Sequence, residues 1–227
     1  EEVKPSHVEM VLVLDESGSM SNLTNDTIGG FNSMIEKEKK LDVDAHVTTV
    51  LFNDQYKMLY NRRELKDVSK MTDKDYTPGG MTALLDAVGR TIHKMDMVAG
   101  IHRKDKGNKV LFVIITDGEE NDSKEYTYAD VKKLIKDRQE NAGWEFIFLG
   151  ANIDAAAAAE NLGIDRDRAV KYKNTGSGVR ANFKAVAELS DSLAKSGRVS
   201  DEWKETVEKD EDDAADKQSA AVTLHRR

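Results

Sequence analysis

Residues 109–116 read KVLFVIIT, and Asp117-Gly118 follows at once. This is the most apolar stretch of the chain. Polar residues do not alternate with apolar ones along it, so both of its faces must be covered by other segments. That is the character of a central strand in a parallel sheet, with helices packed on either side. The flanking sequence must therefore supply helices and further strands.

Upstream, residues 82–95 place Leu84, Leu85, Val88 and Ile92 at helical spacing. A loop, Thr77-Pro78-Gly79-Gly80, precedes them. Residues 46–52 (HVTTVLF) are rich in β-branched side chains and read as a strand. Asn53-Asp54 turns the chain back into a hairpin partner at 55–60. A short helix is expected at 64–71. Residues 24–39 form a helix with Ile28, Phe31, Met34 and Ile35 on one face, and 9–14 (EMVLVL) is a second buried strand.

Downstream come a helix at 128–141, a strand at 144–149 (WEFIFL) and an alanine-rich helix at 154–162 with Asp154 at its start. A short strand at 169–172 and a helix at 179–195 follow. Strands that alternate with helices predict a doubly wound, Rossmann-like α/β fold. The expected sheet has six mostly parallel strands, one antiparallel edge strand, and helices on both faces. The domain is expected over 6–197. From Asp201 onward nine acidic residues stand against five basic ones and apolar anchors are few, so 198–227 is expected to be a charged, acidic tail, mobile or partly helical.

A net charge of −8 argues against nucleic acid or an anionic membrane surface as partner. No cysteine is present, which excludes disulfides and thiolate metal sites and favours a reducing, cytoplasmic setting. No run is long enough to insert into a membrane as a helix. The opening Glu1-Glu2-Val3-Lys4-Pro5 has no signal-peptide pattern; it also has no Met, which is compatible with a removed leader.

In doubly wound sheets, ligands sit beyond the carboxyl ends of the strands. This directs attention to loops 15–21, 77–82 and 117–122. In Asp15-Glu16-Ser17-Gly18-Ser19, alternate residues of an extended loop point the same way, so Asp15, Ser17 and Ser19 present three oxygens together. Asp117 and Thr82 add oxygens from the other two loops. An all-oxygen set suits a hard cation: Mg²⁺ first, with Mn²⁺ or Ca²⁺ also served. If neutral hydroxyls provide most of the contacts, the ion keeps enough electrophilic character to recruit a carboxylate from outside.

Asp-x-Ser-x-Ser after the first strand, Thr after a Gly-Gly turn, and Thr-Asp-Gly after the central strand resemble the metal-ion-dependent adhesion site (MIDAS) of the von Willebrand factor type A (vWA) family. The resemblance covers about residues 8–195, and all five positions match: Asp15, Ser17, Ser19, Thr82 and Asp117. It implies that the Ser and Thr hydroxyls touch the metal directly and that the aspartates often act through water. An acidic residue of a ligand completes the sphere. The family includes adhesion receptors, matrix proteins and cytoplasmic proteins that work with ring ATPases; a stand-alone chain without cysteine most resembles bacterial or bacteriophage members. The implied function is a metal-dependent protein–protein interaction module whose partner presents an Asp or Glu. The alternative is a cytoplasmic adaptor for a ring ATPase or a stress-response complex. A metal-dependent hydrolase ranks last.

Enzyme signatures are weak. Ser17 lies between Glu16 and Gly18 rather than in a Gly-x-Ser-x-Gly elbow, and no second acidic residue stands two positions after Asp15. No histidine neighbours the three loops to act as a base. His7, His46, His93, His102 and His225 are scattered without zinc-ligand spacing. Glu16 is expected in solvent, and Glu119, Glu120 and Asp122 are expected to form a solvated acidic loop. Asp86 supports the metal loop or only lines a helix face. Met20 and Met81 are candidates for a partner-facing rim. Trp203 either docks on the domain or on a partner, or stands exposed. The sequence does not specify the oligomeric state.

Overall fold

The computed structural model describes residues 7–98 and 108–209. At its centre β1 (His7–Asp15) and β4 (Asn108–Thr116) run side by side in parallel. Side chains alternate across a strand, and here both sets are buried. Val8, Met10, Leu12 and Leu14 of β1 join Leu111, Val113 and Ile115 of β4 in one core. Val11 and Val13 join Val110, Phe112 and Ile114 in the other. Two helical layers follow from this. α1 (Thr24–Lys40) and α5 (Gly176–Ser196) cover the first face. α2 (Leu84–Asp96), α3 (Tyr128–Asp137) and α4 (Ala155–Leu162) cover the second.

The remaining strands are β2 (Ala45–Phe52), β3 (Tyr56–Glu64), β5 (Glu145–Gly150) and β6 (Ala169–Lys171). The order is β3-β2-β1-β4-β5-β6. Only the β2–β3 pair is antiparallel. This is the expected six-stranded doubly wound sheet. The chain winds one way from β1 to β2 and the other way from β4 to β6, so the switch point lies between β1 and β4.

Local chemistry sets the helix ends. Thr127 and Asp130 form a reciprocal capping box at the start of α3, and the Thr175 hydroxyl accepts from the Gly178 N–H at the start of α5. Where α1 crosses α5, a methyl group on Gly30 would lie 2.6 Å from Phe183 Cδ2, so only glycine allows this approach.

One expectation is corrected. Segment 64–71 is not a helix beyond one 3₁₀ turn, Leu65–Asp67. Its far end is held extended along α1: Lys39 Nζ donates to the Val68 carbonyl at 2.7 Å, and the Asn32 amide brackets the Met71 backbone. Residues 202–209 are helical, within a stretch read as a mobile or partly helical tail. Trp203 and Val207 are buried in the α1–α5 core, and the Thr206 hydroxyl donates to Glu188 of α5 at 2.7 Å. Two apolar anchors at i and i+4 suffice to dock an otherwise charged segment. The rest of the expected tail, 210–227, lies outside the described residues.

Glu38 is buried within this same layer. One carboxylate oxygen accepts from the Ser190 hydroxyl at 2.8 Å, while Oε1 has no partner. Burial pushes its pKa up from 4.5 to about 7. Between those values the folded chain keeps a proton that the unfolded chain releases, so stability falls as pH rises and the loss is complete above about 7. The amide of Glu38→Gln has no such charge. The variant should be more stable than the parent at pH 8, by up to about 3 kcal/mol for a shift of this size, and equal to it near pH 4; denaturant midpoints at the two pH values measure this. Trp203→Ala should cost about 3–5 kcal/mol if the helical segment is part of the domain, whereas a loose tail would leave the melting temperature unmoved.

Candidate metal centre

Asp15 is the last residue of β1, and Asp117 follows the last residue of β4. Parallel register sets Leu14 beside Ile115, so both acids leave the sheet at the switch point, side by side. Each is almost fully buried. Asp15 spends both oxygens locally. Oδ1 accepts from the Ser17 N–H at 2.7 Å and Oδ2 from the Thr116 hydroxyl at 2.7 Å. Ser17 and Ser19 hydroxyls lie 3.1 Å apart, and Ser19 donates to Asp117 Oδ1 at 2.5 Å. Asp117 Oδ2 is buried with no hydrogen-bond partner.

Three of the five residues singled out in the sequence, Ser17, Ser19 and Asp117, thus form one chain of oxygens, and Asp15 joins it through the Ser17 N–H. Thr82 joins them through its backbone rather than its hydroxyl. Gly18 N–H donates to the Gly80 carbonyl at 3.2 Å, two residues before Thr82. Thr82 N–H donates to Asn121 Oδ1 at 2.8 Å and its carbonyl accepts from Asn121 N–H at 3.0 Å. This two-bond clamp ties the Thr82 loop to the Asp117 loop. Gly80 has φ +73° and its Cα faces Asp54 Oδ1, where a Cβ would clash at 1.9 Å. A glycine is needed there on both counts.

The surrounding carboxylates and amides hold the loops. Glu16 is buried, contrary to the solvent position expected for it. Its Oε1 accepts from the Thr77 N–H at 2.5 Å, and its carbonyl from Gly79 N–H at 2.9 Å. Asn53 Nδ2 donates to the Gly79 carbonyl at 2.8 Å. Glu120 is not part of a free acidic loop either. It accepts from Leu85 N–H at the start of α2 and from the backbone of Asp122 and Ser123. Asp86 accepts three backbone N–H bonds, from Lys124, Glu125 and Tyr126, each at 2.9 Å. Burial works against its charge, but these bonds outweigh it and hold its pKa below the usual value. Of the two rim methionines, Met20 is buried and Met81 is half exposed.

Electrostatics at the centre favour a cation. Burial, with the charge of Asp117 adding to it, pushes the Asp15 carboxyl up despite the bonds from Ser17 and Thr116. Beneath it Tyr76, kept neutral by burial, donates to the Asp15 carbonyl at 2.6 Å. Two buried carboxylates, one with an orphaned oxygen, and a row of hydroxyls fit a hard divalent ion on the chemistry of the donors. The ion would relieve the repulsion and satisfy Asp117 Oδ2.

A different cluster, missed in the sequence, lies at the opposite end of the sheet. His7, Glu9 and His46 bring potential ligand atoms within 4.8 Å of one another. The two histidines are 39 positions apart, and only the parallel pairing of Glu9 with His46 across β1 and β2 unites them. Asn53 and Asn121, which lock the candidate centre, look like ordinary turn residues and carry no signal of their role.

The family model described as the vWA domain found in the TerF C terminus matches residues 7–170. No curated protein matches the chain. Among solved structures, the pilus adhesin SpaC from Lactobacillus rhamnosus GG aligns with TM-score 0.65 at 14% identity, over 86% of this chain and 31% of its own. The PilB minor pilin from Streptococcus sanguinis gives 0.59 at 12%, over 81% and 61%. The vWF domain of the type V pili tip protein Mfa5 from Porphyromonas gingivalis gives 0.59 at 12%, over 88% and 100%. The chain spans less than two thirds of the first two, and at these identities the likeness is one of fold.

A bound ion that the unfolded chain cannot hold stabilises the folded one, by about 2.7 kcal/mol at a hundred times its Kd. Mg²⁺ should therefore raise the melting temperature of the wild type near neutral pH and leave Asp117→Ala unmoved. Equal melting with Mg²⁺ and with chelator in the wild type would remove the metal reading.

Proposed function

The chain belongs to the vWA-TerF-like family, and on that premise we propose that it is a divalent-metal-dependent protein recognition module. Ser17, Ser19 and Thr82 would offer hydroxyls to the ion, with Asp15 and Asp117 supplying charge directly or through water. When bound, the ion supplies a Lewis-acidic point that attracts a carboxylate from outside. The observation that supports this reading best is the orphaned Oδ2 of Asp117, buried at the end of an unbroken row of oxygens.

The chain's own residues set the terms of binding. Asp15 has both oxygens engaged by Ser17 and Thr116, so it acts mainly by fixing the loop and adding negative charge. The neutral hydroxyls leave the ion incompletely neutralised, and an Asp or Glu of a protein partner takes the open position. Mg²⁺ is the proposed ion, since hydroxyl, carboxylate and water ligands meet its demands; Mn²⁺ and Ca²⁺ accept the same donors. Pilus adhesins and minor pilins share this fold, which supports protein recognition as the activity. No catalytic role is assigned to any residue.

Affinity capture from the native host tests the reading. A genuine partner should be retained in Mg²⁺, released by chelator, and absent with Asp117→Ala. Replacing one surface Asp or Glu of that partner should abolish capture by a hundredfold or more. Capture that persists in chelator, or that survives every acidic substitution on the partner, would rule the mechanism out.

A further inference from the structure

At the amino-terminal ends of β1 and β2, away from the oxygen-lined centre, His7 Nε2, His46 Nδ1 and Glu9 Oε1 face one another. The separations are 2.9 Å between the two nitrogens, 3.2 Å from His46 to Glu9 and 3.3 Å from His7 to Glu9. Ligand atoms about 2.0–2.1 Å from a zinc ion in tetrahedral geometry stand about 3.3 Å apart. The triangle is thus close to one face of such a tetrahedron.

We propose that His7, Glu9 and His46 form a binding site for a borderline transition-metal ion, with Zn²⁺ as its representative, distinct from the Mg²⁺-type centre. The tautomer of His7 supports this. Its Nδ1 lies 2.9 Å from Asp44 Oδ1, and a carboxylate can only accept there, so Nδ1 carries a proton. In the neutral ring this leaves a lone pair on Nε2, directed at the other two donors. A carboxylate behind a ligating histidine is the usual support of such sites, because it fixes the ring and raises its basicity.

With both histidines neutral, His7 Nε2 carries no proton and stands 3.3 Å from the acceptor Glu9 Oε1, while His46 Nδ1, if it accepts from Arg62 Nη2 at 3.2 Å, stands 2.9 Å from His7 Nε2, so three lone pairs face one another. A second proton on His7 bridges them by hydrogen bonding; a metal ion on the three donors bridges them equally once Arg62 turns away from His46. Arg62 also holds Glu9 by two bonds, Nε to Oε2 at 3.0 Å and Nη2 to Oε1 at 2.5 Å. It is partly exposed, so the second bond can open while the first keeps the carboxylate in place. Imidazole with one carboxylate selects zinc-like ions over Mg²⁺. A surface cleft bordered by Asp42, Asp44 and Glu64 gives access to the site. Occupancy would staple the starts of β1 and β2 together.

Zn²⁺ titration by calorimetry, on chelator-treated protein near neutral pH, tests the proposal. One equivalent should bind to the wild type and equally to Asp117→Ala, which disables only the other centre. His7→Gln and His46→Gln each keep a polar, partly exposed side chain, and thermal melts check their folding. Both should bind at least tenfold more weakly, and Asp44→Asn should lose about 10–100-fold as a supporting residue. Absence of Zn²⁺ binding to the wild type, binding unchanged in both histidine variants, or binding lost in Asp117→Ala would overturn it.

Discussion

Everything at the candidate centre depends on the pairing of β1 with β4. Both strands are apolar on both faces, so neither can slide without moving Leu, Val and Ile from one packed layer into the other. Side-chain direction reverses with every residue, and a slip of one position would misplace a whole core. Burial on two sides therefore fixes register more tightly than burial on one. The fixed register carries Asp15 and Asp117 out of the sheet next to each other. The two acids would repel and seek solvent on an ordinary surface; here the hydrophobic layers beneath them decide where they stand.

Around this pair the loops are held by polar groups that would touch no ligand. Glu16, Asn53, Asn121, Glu120 and Asp86 each bind backbone N–H or carbonyl groups of a neighbouring loop. The three loops are thereby set relative to one another, to the start of α2 and to the 53–54 turn. Such loops supply an arrangement with little freedom left to lose on binding, which lowers the entropic cost of capturing an ion or a partner.

The fold was legible because its signals are repetitive. A run such as KVLFVIIT has few structural solutions, and the alternation with helical patterns leaves a doubly wound sheet. Asp15, Ser17, Ser19 and Asp117 could be singled out because they stand at or just past the ends of β1 and β4, where that topology directs attention; Thr82 stands just before α2 and was singled out by the Gly-Gly turn ahead of it. Three kinds of feature were not. Glu16 and Glu120 look like solvated acids in a list of charges, and only the backbone groups around them reveal what they bind. The segment 202–209 is masked by its charge, since two anchors, Trp203 and Val207, are too few to raise its average hydrophobicity. The meeting of His7 with His46 is set by which strand lies beside which, and no spacing along the chain encodes that.

The two edges of the sheet also constrain how another protein can approach. β3 departs from regular pairing near Thr48, where Arg62 adopts φ +45° and donates its N–H to the Thr48 hydroxyl instead of a carbonyl. Lys57, Arg63 and Glu64 stand exposed along the same strand. β6, at the far edge, is only three residues long. A kinked, charged border on one side and a stub on the other offer poor templates for main-chain pairing. Recognition by strand addition, common among proteins with open sheets, is disfavoured at both edges, and the loops at the carboxyl ends of the strands carry no such obstacle.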